Sequence, residues 1–215
     1  MSFRIHRLLA FAAAGFLWLT PGFSQAPQPF TRALQTGDIL FQTLPCGGMC
    51  DAIIATTPCA NDRRFNHCGI LVQDSGKWFV VEAIGKEVQK TPLLKFTTRD
   101  TARYLFVGRA KISGKNRKEA ARKSLIYLGR PYDDPFLPGD SALYCSELVW
   151  EIFSQNDKKI FSLQPMTFKS KGKTHPAWEA YYQALAQPIP EGVLGINPCA
   201  IANSEQVRFF SVSKR

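Results

Sequence analysis

The chain has 215 residues, 45% of them hydrophobic, and its 27 Lys and Arg against 17 Asp and Glu give a formal net charge of +10. That length fits a single domain, and the apolar share excludes a disordered chain. Six cysteines can serve disulfides or thiol chemistry, and the compartment decides which reading applies.

The N-terminus speaks to the compartment. Arg4, His6 and Arg7 form a positive start, residues 8–19 are an almost unbroken apolar run, and Pro21, Gly22, Ser24 and Ala26 follow. This pattern predicts a secretory signal peptide over residues 1–24, with a single domain over 25–215; a retained anchor is the alternative, and the run is short for a membrane span. The protein is therefore expected to be exported, periplasmic or secreted. In an oxidising compartment, at least two of Cys46, Cys50, Cys59 and Cys199 are expected in disulfides, and the three possible pairings stay open. A zinc site drawn from Cys46, Cys50, Cys59 and His67 has none of the paired C-x₂-C spacings, so no metal or other cofactor is expected.

In chain order, residues 38–42 form a short β-prone run. Residues 45–61 read as a loop stapled by cysteines, with a short helix near 51–56. Residues 67–73 and 78–84 read as strands joined by a turn at Asp74-Ser75-Gly76-Lys77, and 103–110 as another strand. A helix is predicted over 116–128 before Gly129, a second over 146–153 with Leu148, Val149 and Ile152 as its apolar stripe, and a third over 176–186. Residues 207–212 suit a last strand. This order of strands and helices reads as α+β, an antiparallel sheet packed against helices. Residues 109–123 hold seven Lys or Arg and one Glu, Glu119, and read first as the solvated face of a helix. The same charge would suit attraction to an anionic envelope surface. No nucleic-acid motif accompanies it, and a nucleic-acid partner is not expected.

The chemistry gathers on the hairpin and one later cysteine. If Ser75 and Gly76 form a two-residue turn, Leu71 faces Val80 and Gly69 faces Glu82. His67 and Glu82 then share a face as diagonal neighbours, within reach of a hydrogen bond. A carboxylate there would set the imidazole's tautomer and favour its charged form. Cys68 falls on the opposite face with Ile70 and Val72 and reads as a small buried hydrophobe. Cys145 sits where a loop rich in Pro and Gly enters a helix, a position that favours the thiolate and offers free backbone N–H groups to an oxyanion. Glu147 is expected to complement the helix dipole. His175 is expected in a solvated loop. Spacing alone does not bring Cys145 to His67.

The segments Gly37-Asp38-Ile39-Leu40-Phe41-Gln42, Asn66-His67-Cys68-Gly69-Ile70, Val81-Glu82-Ala83 and Tyr144-Cys145-Ser146-Glu147-Leu148-Val149 occur in that order. The set resembles the permuted papain-like amidases, the YiiX/YaeF-like branch of the NlpC superfamily, and Gly129-Arg130-Pro131-Tyr132-Asp133 resembles the family's stretch before the nucleophile. The likeness runs from Gly37 to about Phe153. Asn66 and Cys68 stand where Ser and Val are expected. The cysteine-rich loop, residues 46–59, and a C-terminal extension from about 155 to 215 look particular to this chain.

The resemblance implies a circularly permuted papain-like α+β fold, with the histidine ahead of the cysteine in the chain. It implies Cys145 as nucleophile, His67 as its base and Glu82 as the orienting acid, which the hairpin register suggests independently. Tyr144 is the neighbouring candidate for substrate contact. The expected function is hydrolysis of an amide or peptide bond, with envelope-derived peptide as a candidate substrate and no cofactor. Ester or thioester hydrolysis or acyl transfer on a lipid acyl group is the alternative for the same site, and an inactive binding protein is the alternative from another class.

Overall fold

A computed structural model describes residues 29–137, 139, 141–155 and 158–214. The expected signal peptide lies outside the described residues. Six antiparallel strands make the central sheet: β1 Ile39–Gln42, β2 His67–Asp74, β3 Lys77–Ile84, β4 Glu87–Pro92, β5 Tyr104–Ala110 and β6 Val207–Ser213, in the order β6-β5-β1-β2-β3-β4. Six helices accompany them: α1 Gly48–Thr56, α2 Leu93–Thr97, α3 Gly114–Ser124, α4 Cys145–Ile152, α5 Pro176–Ala184 and α6 Pro198–Asn203.

The β2–β3 hairpin has the register its turn chemistry dictates, with Asp74 opposite Lys77 and Leu71 opposite Val80. Ser75 and Gly76 both take positive φ, 48° and 76°, as a two-residue turn matching the strand twist requires. Side chains therefore alternate between two buried layers. Ile39, Phe41, Cys68, Ile70, Val72, Val81 and Ala83 meet Leu148, Val149 and Ile152 of α4 and Ala120 and Ala121 of α3. On the other face Leu40, Leu71, Val80, Leu105 and Val107 are covered by Leu34 and by Leu93 and Phe96 of α2.

Strand β4 and helix α2 have no counterpart among the predicted elements. β4 reads Glu-Val-Gln-Lys-Thr-Pro, with only Val88 and Thr91 buried. A polar edge strand ending in Pro carries little apolar alternation to detect.

The Gly37-Asp38 pair locks β1 in place. Asp38 is fully buried and receives Arg109 through two bonds, Nε to Oδ1 and Nη2 to Oδ2, each 2.7 Å, and the Gln35 N–H at 2.8 Å. Gly37 has φ +89°, and a Cβ there would sit 2.4 Å from the Arg117 carbonyl oxygen. The basic run is thus not wholly the solvated face it resembles. Arg109 points into the ion pair, and Arg117 donates to the Ile112 carbonyl at 2.5 Å, while Lys115, Lys118 and Arg122 are exposed.

Two disulfides form, Cys46–Cys50 and Cys59–Cys199, the second joining residues 140 apart. They consume every cysteine of the zinc arrangement drawn above, and Cys68 and Cys145 remain free. The cysteine-rich loop carries α1, whose Ala52 packs with Phe168, Trp178 and Tyr182 in a third cluster. Residues after 155 supply α5, α6 and the edge strand β6.

Candidate active site

Cys145 is the first residue of α4, reached from Tyr144 in extended conformation, and is buried with 6% of its surface exposed. The Glu147 carboxylate accepts from the backbone N–H groups of Tyr144 at 3.3 Å and Gly139 at 3.2 Å. It closes the helix start as its position suggests, and leaves the first turn aimed at the cysteine. Tyr144 is fixed by its hydroxyl, which accepts from the Ile196 N–H at 3.1 Å. His175, by contrast, caps the start of α5, where its Nδ1 accepts from the Ala177 N–H.

His67 is the first residue of β2, so its ring stands at the end of the strand, where it can reach past the sheet. Its Nε2–H donates to Glu82 Oε2 at 2.6 Å, and the Cys145 thiol lies near enough to act on the ring as well. Glu82 and Cys145 belong to opposite faces of the sheet, and the imidazole joins them. Gly69 makes this possible. A Cβ at that position would meet Val80 Cγ1 at 2.6 Å and Glu82 Cβ at 3.0 Å, so the missing side chain clears the diagonal between His67 and Glu82.

Two partners were not legible in the sequence. Arg99, just beyond α2, holds Glu82 in a fork, Nη1 to Oε2 at 2.8 Å and Nη2 to Oε1 at 2.5 Å, and reaches Thr91 Oγ1 at 3.3 Å. No motif marks Arg99, and the available signal was indirect: an ionised glutamate on a buried face needs a cation. Cys68, read as a small buried hydrophobe, is fully buried and in addition acts on Cys145, helping to lower its thiol through side chain and backbone. Facing away from His67 put Cys68 on the side from which α4 brings Cys145.

These contacts set the protonation states. Burial opposes charge on His67, but hydrogen bonds to Cys145 and Glu82 outweigh it and raise the imidazole to about 9. The hydrogen bond from Cys68 leads those that hold the Cys145 thiol well below its ordinary value; burial opposes it, and the His67 bond adds to it. Burial pushes the Cys68 thiol up, so it stays protonated and able to donate. Glu82 is pulled down to about 2, because the bonds from His67 and Arg99 overcome its burial. These shifts favour, at neutral pH, a thiolate–imidazolium pair backed by the ion pair of Glu82 with Arg99.

A family model for the permuted papain-like amidase enzymes, YaeF/YiiX, C92 family, matches residues 33–210. The chain belongs to this family. The match continues through the segment after Phe153, beyond the motifs that suggest the family in the sequence. The chain is 33% identical over 198 residues to YiiX of Escherichia coli strain K12, an uncharacterized protein, covering 87% of each chain. It is also similar to the crystal structure of the YiiX metalloprotein of Escherichia coli O157:H7, with a TM-score of 0.68 at 26% identity, covering 84% of this chain and 97% of that one. In this member of the family the α+β architecture follows the sequence reading.

The Arg99 fork changes what a Glu82 substitution should do. From sequence alone Glu82→Gln looks structurally mild. With Glu82 fully buried and Arg99 only 20% exposed, the change strands a guanidinium against a neutral amide. Glu82→Gln is expected to cost about 3 kcal/mol of stability, the low end for breaking a buried pair, and to lower turnover by about 10²-fold or less. Chemical denaturation and steady-state assays on the same preparation check both, and an unchanged stability would show that the fork carries no weight.

Proposed function

We propose that the chain is an exported cysteine hydrolase that cleaves an amide bond through Cys145, His67 and Glu82. The observation that carries this reading is the continuous line Cys145–His67–Glu82, with the thiol at a helix start and the carboxylate buried behind the imidazole. Export is supported by the leader-like N-terminus and by the two disulfides.

In the proposed reaction the Cys145 thiolate attacks the carbonyl carbon, and the developing oxyanion meets backbone N–H groups in the first turn of α4, including that of Cys145. The His67 imidazolium gives its proton to the leaving nitrogen as the C–N bond breaks, leaving an acyl-thioester on Cys145. Neutral His67 then takes a proton from water, whose oxygen attacks the thioester. The acid leaves, and the thiolate–imidazolium pair is restored. Glu82 holds the ring in register and stabilises its charge throughout, and Arg99 holds Glu82.

The relative of known structure is described as a metalloprotein. Among the described residues of this chain no three His, Cys, Asp or Glu side chains are grouped to hold a metal ion. The residues present do not fit such a centre, and no step is routed through one.

The pH dependence tests the proposal. Because the Cys145 thiol is lowered, the thiolate should persist below the ordinary thiol range and disappear only on the acid side. Because His67 is raised to about 9, the imidazolium should be lost as pH rises through that value. Turnover should therefore be bell-shaped with its alkaline limb near 9, while alkylation of Cys145 by iodoacetamide should stay fast well below the pH at which a free thiol ionises. A Cys145 that alkylates only above pH 8, like an isolated thiol, would remove the ion pair and the proposed mechanism with it.

A further inference from the structure

A half-open cavity of about 190 Å³ lies beside Cys145 and Tyr144. Its walls come from parts of the chain distant in sequence: Ile53 of α1, Phe136 ahead of α4, Met166 and Phe168, Trp178 of α5, and Ile196 before α6. None of the described residues that line it is Asp, Glu, Lys, Arg or His. Its polar members are hydroxyls and amides such as Thr56 and Asn66, and the first of these is already engaged, receiving the Trp178 Nε1–H at 3.2 Å and donating to Ala52.

The aromatic walls brace one another. Phe136 meets Trp178 edge-on at 5.6 Å and Tyr144 at 5.4 Å, and Phe168 meets Trp178 edge-on at 5.0 Å. Tyr182, behind them, is anchored by its hydroxyl to the Pro135 carbonyl at 2.9 Å. A preformed, aromatic, uncharged cavity beside a nucleophile sorts substrates by what lies next to the reacting carbonyl.

We infer that this cavity is a specificity pocket for an uncharged, apolar group carried on the reacting carbonyl, the size of an aromatic ring with a short linker. The inference rests on Cys145 being the nucleophile, as proposed above. The size follows from comparison: an apolar cavity of about 150 Å³ accepts benzene, so the one here takes roughly six to nine carbon atoms. A carboxylate next to the carbonyl would be stripped of water with no cationic partner among the described lining residues. Acidic side chains at this position of a peptide substrate are therefore selected against.

Three chloromethyl ketones test this on the mature, oxidised protein, because each presents a carbonyl to the thiolate and differs only in the group beside it. One carries phenylethyl, one methyl and one carboxyethyl. The second-order rate of Cys145 alkylation, read by intact mass, is expected to follow that order, with phenylethyl faster than carboxyethyl on the order of 100-fold. Ile53→Trp, a half-buried position on the wall, should fill the cavity and abolish the phenylethyl advantage over methyl. Equal rates for phenylethyl and carboxyethyl would overturn the pocket while leaving the thiolate mechanism standing. A Cys145 that reacts with none of the three would overturn both.

Discussion

Cys145→Ala is expected to lower turnover on the order of 10⁶-fold, the scale of losing the nucleophile from a triad that acts as a unit. Every other group of the line stays in place: His67 keeps its 2.6 Å bond to Glu82, and Arg99 keeps its fork. Only one buried sulfur disappears, so the unfolding free energy should move by about 1 kcal/mol. The imidazole should respond in a way a merely structural cysteine would not produce. Its raised value depends in part on Cys145, and with the thiolate gone it should fall from about 9. An NMR titration of His67 in the variant reads this directly. Retained turnover, or an unmoved His67, would separate Cys145 from the chemistry.

The second large effect concerns stability. Replacing both Cys59 and Cys199 by Ser should cost about 5 kcal/mol, whereas the same change at Cys46 and Cys50 should cost about 2 kcal/mol. In the chain-entropy model the stabilisation grows with the loop closed, and these bridges span 140 and 4 residues. Urea unfolding of the two double variants compares them with Cys68 and Cys145 unchanged. Equal losses would mean that the long bridge does not restrict the unfolded chain as its span implies. The long bridge also bears on the site, because Cys199 lies on α6 and the residues just before that helix line the cavity beside Cys145. Its loss should therefore weaken selection among apolar substrates before it abolishes alkylation.

Much of the site could be read from local patterns. The two-residue turn at Ser75-Gly76 sets the register of β2 and β3. Register and the period-two alternation of side chains together put His67 and Glu82 on one face. The start of α4 at Cys145 follows from the breakers ahead of it and the apolar stripe behind it. The strand over residues 207–212 and the helix after Pro176 were likewise visible. These features depend on neighbours in sequence or across one tight turn, where geometry leaves few choices.

What lay beyond the sequence depends on distant segments meeting. Arg99 reaches Glu82 only because α2 covers the second face of the sheet beside the edge strand β4, and neither element has strong apolar periodicity. Cys68 packs near Cys145 because α4 lies on the face turned away from His67, so the feature that made it look like a plain buried hydrophobe is what places it against the proposed nucleophile. The pairing of Cys59 with Cys199, the inward turn of Arg109 to Asp38 and the uncharged cavity between α1 and α5 are of the same kind. The sequence by itself determined the hairpin, the helix start and the residue types of the proposed triad, since backbone geometry and turn chemistry are local. Only the tertiary structure decided which cation holds the acid, what surrounds the thiol and what the cavity admits, because burial and charge pairing belong to the packed chain and not to any one segment of it.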